Sequence, residues 1–209
     1  MPHVAFVPFT GLRCREAEML AWGLTLPGFA KRANALSELP ALGLLTLAGM
    51  TTDEWSVSYH PSSSSDGISA LVEQVLATGP TVIAVSALTA SIMEAYAFCD
   101  LVRRAGVPVV IGGLHVTSLP NEATLHATSV CVGDGESHWG AILQDTLGNC
   151  LRPQYESTHS YDLAKSPTPS FRLLTNERSN AGPTTLCLMS CTSRTKCVRS
   201  ISRKGFSES

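Results

Sequence analysis

The sequence predicts an α/β domain built on a doubly wound, five-stranded parallel sheet, with an irregular C-terminal tail behind it. Three observations predict it. Short apolar runs rich in β-branched residues alternate with helical patterns through about residue 148, as in successive strand–helix–strand crossovers. Most of the strand runs are near-continuous in apolar residues rather than alternating, which suits a sheet covered on both faces. Charged residues make up 15% of the 209 positions and hydrophobic residues 44%. Soluble domains carry roughly 25% charged residues, so this chain is expected to bury both faces of its sheet or to rest against another module.

The elements follow in order. Residues 4–7 are an apolar run closed by Pro8 and Gly11, a buried strand entering a loop. Residues 15–24 have helical character and stop at Pro27 and Gly28. A second helix opens at Leu39 and Pro40 and runs through Leu42, Leu45 and Leu47 to Gly49. Proline is tolerated in a first helical turn because its missing N–H had no partner there. Residues 55–59 alternate as a strand does, residues 62–67 read as a flexible loop, and Ile68–Leu76 is apolar at helical spacing. Residues 81–85 give a third, central strand. Ser91 and Glu94 have the spacing of a capping box. Ile92, Tyr96, Cys99 and Val102 then share one helical face, closed by Gly106. Residues 107–111 are the clearest strand, residues 119–126 a short helix, Ser129–Val132 the fifth strand and residues 135–147 the last helix.

This pattern is that of a flavodoxin-like or Rossmann-like sheet, and it divides the chain into three. Residues 1–148 form the α/β domain. Residues 149–178, rich in Pro, Ser and Thr, read as an extended linker. Residues 179–209 carry five basic residues and one acidic residue, whereas the rest of the chain holds 10 basic and 16 acidic. With seven serines and no amphipathic period, this tail is expected to be poorly ordered. The net charge of −2 gives no reason to expect nucleic acid or an anionic membrane as partner. No apolar run approaches the roughly 18 residues of a bilayer span, and the N-terminus reads as a strand rather than a signal peptide. Seven cysteines is an odd count, and Cys14, Cys99, Cys131 and Cys150 stand singly among apolar neighbours. They read as reduced thiols in a cytoplasmic protein.

Ligands of open parallel sheets bind beyond the carboxyl ends of the strands, so the residues following each strand carry the functional reading. These are Thr10 and Gly11 after the first strand, and Ser86, Ala87, Leu88 and Thr89 after the third. Gly112, Gly113, His115 and Thr117 follow the fourth, and Gly133, Gly135 and Glu136 the fifth. Small, glycine-bearing and hydroxyl-bearing runs describe a roomy crevice lined by backbone. That suits a large flat cofactor better than a small metabolite. Glu136 reads equally well as a carboxylate at the start of the last helix. His3, His60, His126, His138 and His159 show no metal spacing and read as surface or loop residues. No nucleophile–base pair or paired-carboxylate motif stands out.

Ser86 and Leu88, followed 26 positions after Ser86 by Gly112 and Gly113, resemble two of the three signatures of cobalamin-binding domains. The runs 112–123 and 132–136, with the segment 39–44, are similar to the cobalamin-binding part of radical S-adenosylmethionine proteins. The resemblance covers about residues 1–178. It implies that Ser86 approaches the dimethylbenzimidazole tail and that Gly112 and Gly113 let that tail thread down beside the sheet. Leu88, Thr89, His115 and Thr117 would line the corrin side, and Gly133, Gly135 and Glu136 the far wall. The third signature, Asp-x-His-x-x-Gly after the first strand, is absent: residues 8–13 read Pro-Phe-Thr-Gly-Leu-Arg. The resemblance therefore implies base-off binding without a protein histidine on cobalt, or a chain that has lost cobalamin binding.

The family continues into a barrel opened by Cys-x-x-x-Cys-x-x-Cys, which holds a 4Fe-4S cluster used with S-adenosylmethionine. Here Cys187 and Cys191 keep the first spacing, but Arg194 takes the third position, and 12 residues follow Cys197. The cluster and S-adenosylmethionine are thus expected only in an intact family member, and this chain is expected to be non-catalytic alone and served by a separate radical barrel. Truncation or a lost frame near residue 178 is the expected origin of the tail. The competing readings are a small-molecule or nucleotide-binding α/β enzyme, which lacks its Gly-x-Gly-x-x-Gly here, and a receiver-like docking module, which lacks its acidic pocket.

Overall fold

In a computed structural model of the chain, strand β1 (His3–Phe9) is flanked by β2 (Ser56–Tyr59) and β3 (Val82–Ala87), then β4 (Val109–Gly112), β5 (Ser129–Val132) and β6 (Gln154–Glu156). The order is β2-β1-β3-β4-β5-β6, and every pairing is parallel. The structure describes residues 1–9, 40–61, 67–157 and 160–174, within a unit spanning Met1–Leu174. The helix expected over 15–24, the loop residues 62–66 and the tail from 179 lie outside the described residues.

The near-continuous apolar strands are explained by the layers. Successive side chains of a strand point to opposite faces. Ala5, Val7 and Phe9 enter one core with α2 (Ile68–Leu76) and α3 (Ile92–Arg104). Val4 and Phe6 enter the other with α1 (Leu42–Met50) and α6 (Trp139–Leu147). Residues 4–7 of β1 are all 0% exposed, as a central strand covered on both faces must be.

Among the described residues the sheet has six strands, where the sequence reading has five. β6 comes from the stretch read as an extended linker. It is three residues long, and only Tyr155 is buried, which is too short to show a period. Tyr155 anchors it: its hydroxyl donates to Asp145 Oδ2 at 2.6 Å, and Arg152 lies 5.4 Å from its ring centroid. Burial, then the Asp145 hydrogen bond, pushes the phenol up to about 12.

Three local expectations are also corrected. The helix read over 119–126 is shorter, α5 (Pro120–Ala123), and a further short helix not read from the sequence, α4 (Leu114–Ser118), precedes it. They break at Leu119, which precedes proline and is driven out of helical geometry, with φ −133° and ψ 61°. The capping box does not close, because residues 89–91 turn as a 3₁₀ helix. Ser91 makes no side-chain cap, and its Oγ is buried without a hydrogen-bond partner. The last helix begins as a 3₁₀ turn, Gly135–Ser137, before α6.

The histidines are less peripheral than expected, although His159 lies outside the described residues. His126 stacks on Tyr96 with centroids 4.2 Å apart and meets Asp100 at 3.0 Å. His138 Nε2 lies 2.9 Å from Ser157 Oγ. His3 and His60 share a proton chain at the β1–β2 edge. Ser56 Oγ donates to the Pro2 carbonyl at 3.2 Å, so His3 Nδ1–H donates to Ser56 at 2.8 Å. His3 Nε2 then accepts from Ser58 Oγ at 2.8 Å, and Ser58 accepts from His60 Nε2–H at 2.8 Å. In this arrangement His3 is neutral with its hydrogen on Nδ1, and His60 carries a hydrogen on Nε2.

Burial holds both histidines below the ordinary value of 6.5, with His3 adding to the effect at His60. The unfolded chain therefore binds protons at a higher pH than the folded one. This contribution to stability is complete above about pH 6.5 and is lost as the pH falls through the depressed folded values. Thermal melts are expected to give a lower Tm at about pH 5.5 than at about pH 7.5. His60→Gln, which keeps a donor but does not titrate, should flatten that fall; an unchanged slope would refute the assignment.

Candidate functional site

The carboxyl ends of β3, β4 and β5 open onto a slot between the sheet, α1 and α6. It encloses about 190 Å³. Its mouth is made of Ser86, Gly112, Gly113, Gly133, Gly135 and Glu136, six of the expected residues. Ser86 and Gly112 are direct partners in the β3–β4 register, so the hydroxyl and the missing side chain lie together. Gly113 has φ 110° and ψ 178°, a conformation close to glycine-only. A Cβ there would stand 2.6 Å from the Ala87 carbonyl oxygen and 3.0 Å from its nitrogen. At Gly112 a Cβ would meet the Cys131 carbonyl at 3.4 Å, and at Gly135 it would meet Leu47 Cδ1 at 3.5 Å. Glycine thus keeps the mouth open at adjoining points.

The depth of the slot is apolar: Leu44 and Leu47 from α1, Trp139 and Ile142 from α6, and Ala84, Val110 and Cys131 from the sheet. Burial, reinforced by the Glu136 and Asp134 carboxylates, pushes the Cys131 thiol up to about 11. It is therefore a protonated wall group at neutral pH, not a nucleophile. Trp139 is fixed by its Nε1–H, which donates to Thr51 Oγ1 at 2.9 Å, and by Phe6, 5.5 Å away. These walls were not read as site residues, because apolar positions on amphipathic helices carry the same signal whether they face core or ligand. Gly43 and Leu44, also in the lining, fall in the 39–44 segment that the family resemblance includes.

The other expected residues lie outside the slot lining. Ala87 is fully buried. Leu88 is 37% exposed, with Thr89 exposed beside it. Thr117 is exposed and accepts from the Gly133 N–H at 3.1 Å, joining the β4 and β5 exits. His115 is 8% exposed, with Nδ1 3.2 Å from Thr89 Oγ1. Thr10, Gly11, Cys187, Cys191 and Cys197 lie outside the described residues. Among the described residues no three His, Cys, Asp or Glu side chains cluster to hold a metal ion, and no helix is long and apolar enough to cross a membrane.

An apolar cavity of about 150 Å³ holds benzene, while drug-sized ligands occupy roughly 300–1,000 Å³. The slot therefore has room for one flat bicyclic ring, and a macrocycle would have to lie across the exposed strand ends above it. A parallel sheet with a narrow slot and a small-residue lip at its carboxyl ends defines an α/β ligand-binding domain. A family profile described as the B12 binding domain matches residues 30–143, more than half of the chain. The chain belongs to the B12-binding domain family.

Two curated relatives come from Chlorobaculum tepidum. The chain is 33% identical over 87 residues to bacteriochlorophyllide d C-8(2)-methyltransferase, covering 42% of this chain and 19% of that protein. It is 27% identical over 135 residues to bacteriochlorophyllide d C-12(1)-methyltransferase, covering 65% of this chain and 28% of that protein. The matched segments thus span less than a third of either relative. No solved structure matches the chain.

Proposed function

We propose that residues 1–174 hold cobalamin base-off, with its dimethylbenzimidazole in the slot and its corrin across the strand ends. The observation that carries the reading is the glycine-cradled slot beside Ser86, whose volume and apolar walls suit a flat bicyclic base. Ser86 supplies the hydroxyl at the mouth, and Gly112 and Gly113 leave backbone where the connecting chain of the nucleotide must pass. Leu47, Trp139 and Ile142 exclude water from the base. Leu88, Thr89 and Thr117 bound the corrin from β3 and β4.

That no protein histidine takes the cobalt is supported by the donor set. Residues 10–39 contain no histidine, and among the described residues no histidine lines the slot. Bound cobalamin supplies a cobalt that carries and releases a methyl group. The two named methyltransferases support placing this module beside a catalytic barrel, and the earlier resemblance makes that barrel a radical S-adenosylmethionine one. The module's residues bind and orient the cofactor, and the transfer itself belongs to the barrel.

Absorbance titration of the full chain with hydroxocobalamin and methylcobalamin, followed by desalting, tests the reading. Retained corrin with a base-off spectrum is expected. A folded chain that retains none overturns it.

A further inference from the structure

His115 belongs to the residues expected along the corrin, yet its ring is buried and lies outside the slot lining. Its Nδ1 stands 3.2 Å from Thr89 Oγ1, 26 positions earlier in the chain. Thr89 is exposed, just past the end of β3. His115 Nε2 is buried without a hydrogen-bond partner, but Glu122 Oε1 from α5 lies 3.7 Å from it. The Tyr96 ring closes a further side, edge to face, with centroids 6.4 Å apart.

These contacts fix the direction of one proton. A neutral imidazole carries its hydrogen on one nitrogen, chosen by what each nitrogen faces. The Glu122 carboxylate favours the hydrogen on Nε2. Nδ1 then offers a lone pair, and the Thr89 O–H donates to it. A threonine hydroxyl has a single proton. With that proton turned inward, the exposed side of Oγ1 presents lone pairs only.

The geometry points to His115 as a positioning residue that sets Thr89 as an outward-facing hydrogen-bond acceptor, matched to an amide N–H on the corrin rim. Glu122 acts one step further back by holding the tautomer. The inference rests on the proposed cobalamin site and adds a specificity to it: carboxamide groups donate to such an acceptor, whereas carboxylates are turned away by it.

The test uses the full chain and cobinamide, a corrinoid that keeps the amide rim but lacks the nucleotide base, with cobalamin as reference. Thr89→Val and His115→Gln are each expected to weaken cobinamide about five- to tenfold, the effect of one lost hydrogen bond. His115→Asn, whose amide oxygen stands near the position of Nδ1, should bind within about twofold of wild type. The Thr89→Val/His115→Gln double variant should be no weaker than either single, because both remove the same bond. Unchanged cobinamide affinity in Thr89→Val overturns the proposal, as do additive losses in the double variant. If the His115 variants fail to fold, Thr89→Val alone decides, since that site is exposed. Wild-type chain that binds neither corrinoid overturns the cobalamin site itself, a distinguishable result.

Discussion

Gly113→Ala is expected to destabilise the domain by about 3 kcal/mol and to abolish tight corrinoid binding. Two independent terms reach that size. The native backbone, φ 110° and ψ 178°, is nearly closed to residues with a Cβ, at a cost of roughly 1–3 kcal/mol. The new methyl would also press within 2.6 Å of the Ala87 carbonyl oxygen. That neighbour belongs to the central strand β3, which is paired on both sides and has no room to withdraw. Relief must come from shifting the β4 exit, which forms the lip of the slot. For a domain of this size the loss corresponds to a Tm lower by roughly 6–12 °C, and urea denaturation measures it directly. Gly112→Ala is the control. Its Cβ contacts begin at 3.4 Å and its φ is not positive, so it should cost less than about 1 kcal/mol. Equal losses at the two sites would refute the backbone account.

Trp139→Ala is expected to cost about 3–5 kcal/mol, the range for emptying a large aromatic site. Among the described residues, Trp139 heads the fully buried side chains by volume. It packs on Phe6 and donates to Thr51, so truncation removes apolar burial, a ring contact and a hydrogen bond together. Trp139→Phe retains most of the burial and should cost about 1–2 kcal/mol. Chemical denaturation separates the pair, and equal values would show that packing does not set the cost. The two corrinoids add a functional readout. On the proposed site, enlarging the slot should weaken cobalamin, whose base would occupy it, while cobinamide affinity stays near wild type.

The contrast between these sites follows how each is written in the sequence. Gly112 and Gly113 end the strongest apolar run, and the rule that ligands meet strand ends points to them without coordinates. Ser86 is legible for the same reason. Trp139, Leu47 and Ile142 are not, because their helical spacing is that of any core-facing helix. His115 looks like a loop residue beside a ligand until α4 turns its ring inward, a turn that depends on tertiary packing rather than on the five residues of α4. Five strands are legible as apolar runs long enough to show their character. β6 is not, since one buried tyrosine between two exposed residues has no period. The first helical pattern, residues 15–24, lies outside the described residues.

The position of β1 has a consequence for synthesis on the ribosome. Its amide at His3 bonds to Thr81, 78 positions later, and its β3 partner strand begins at Val82. At roughly 5–20 residues per second, β1 waits about 4–16 s for that neighbour. Until then Val4, Ala5, Phe6 and Val7, which are sealed from water in the finished domain, have only α1, β2 and α2 to cover them, because β3, α3 and α6 follow later in the chain. Nascent-chain yield should therefore depend on chaperone supply and elongation speed more than the equilibrium stability of the completed sheet would suggest.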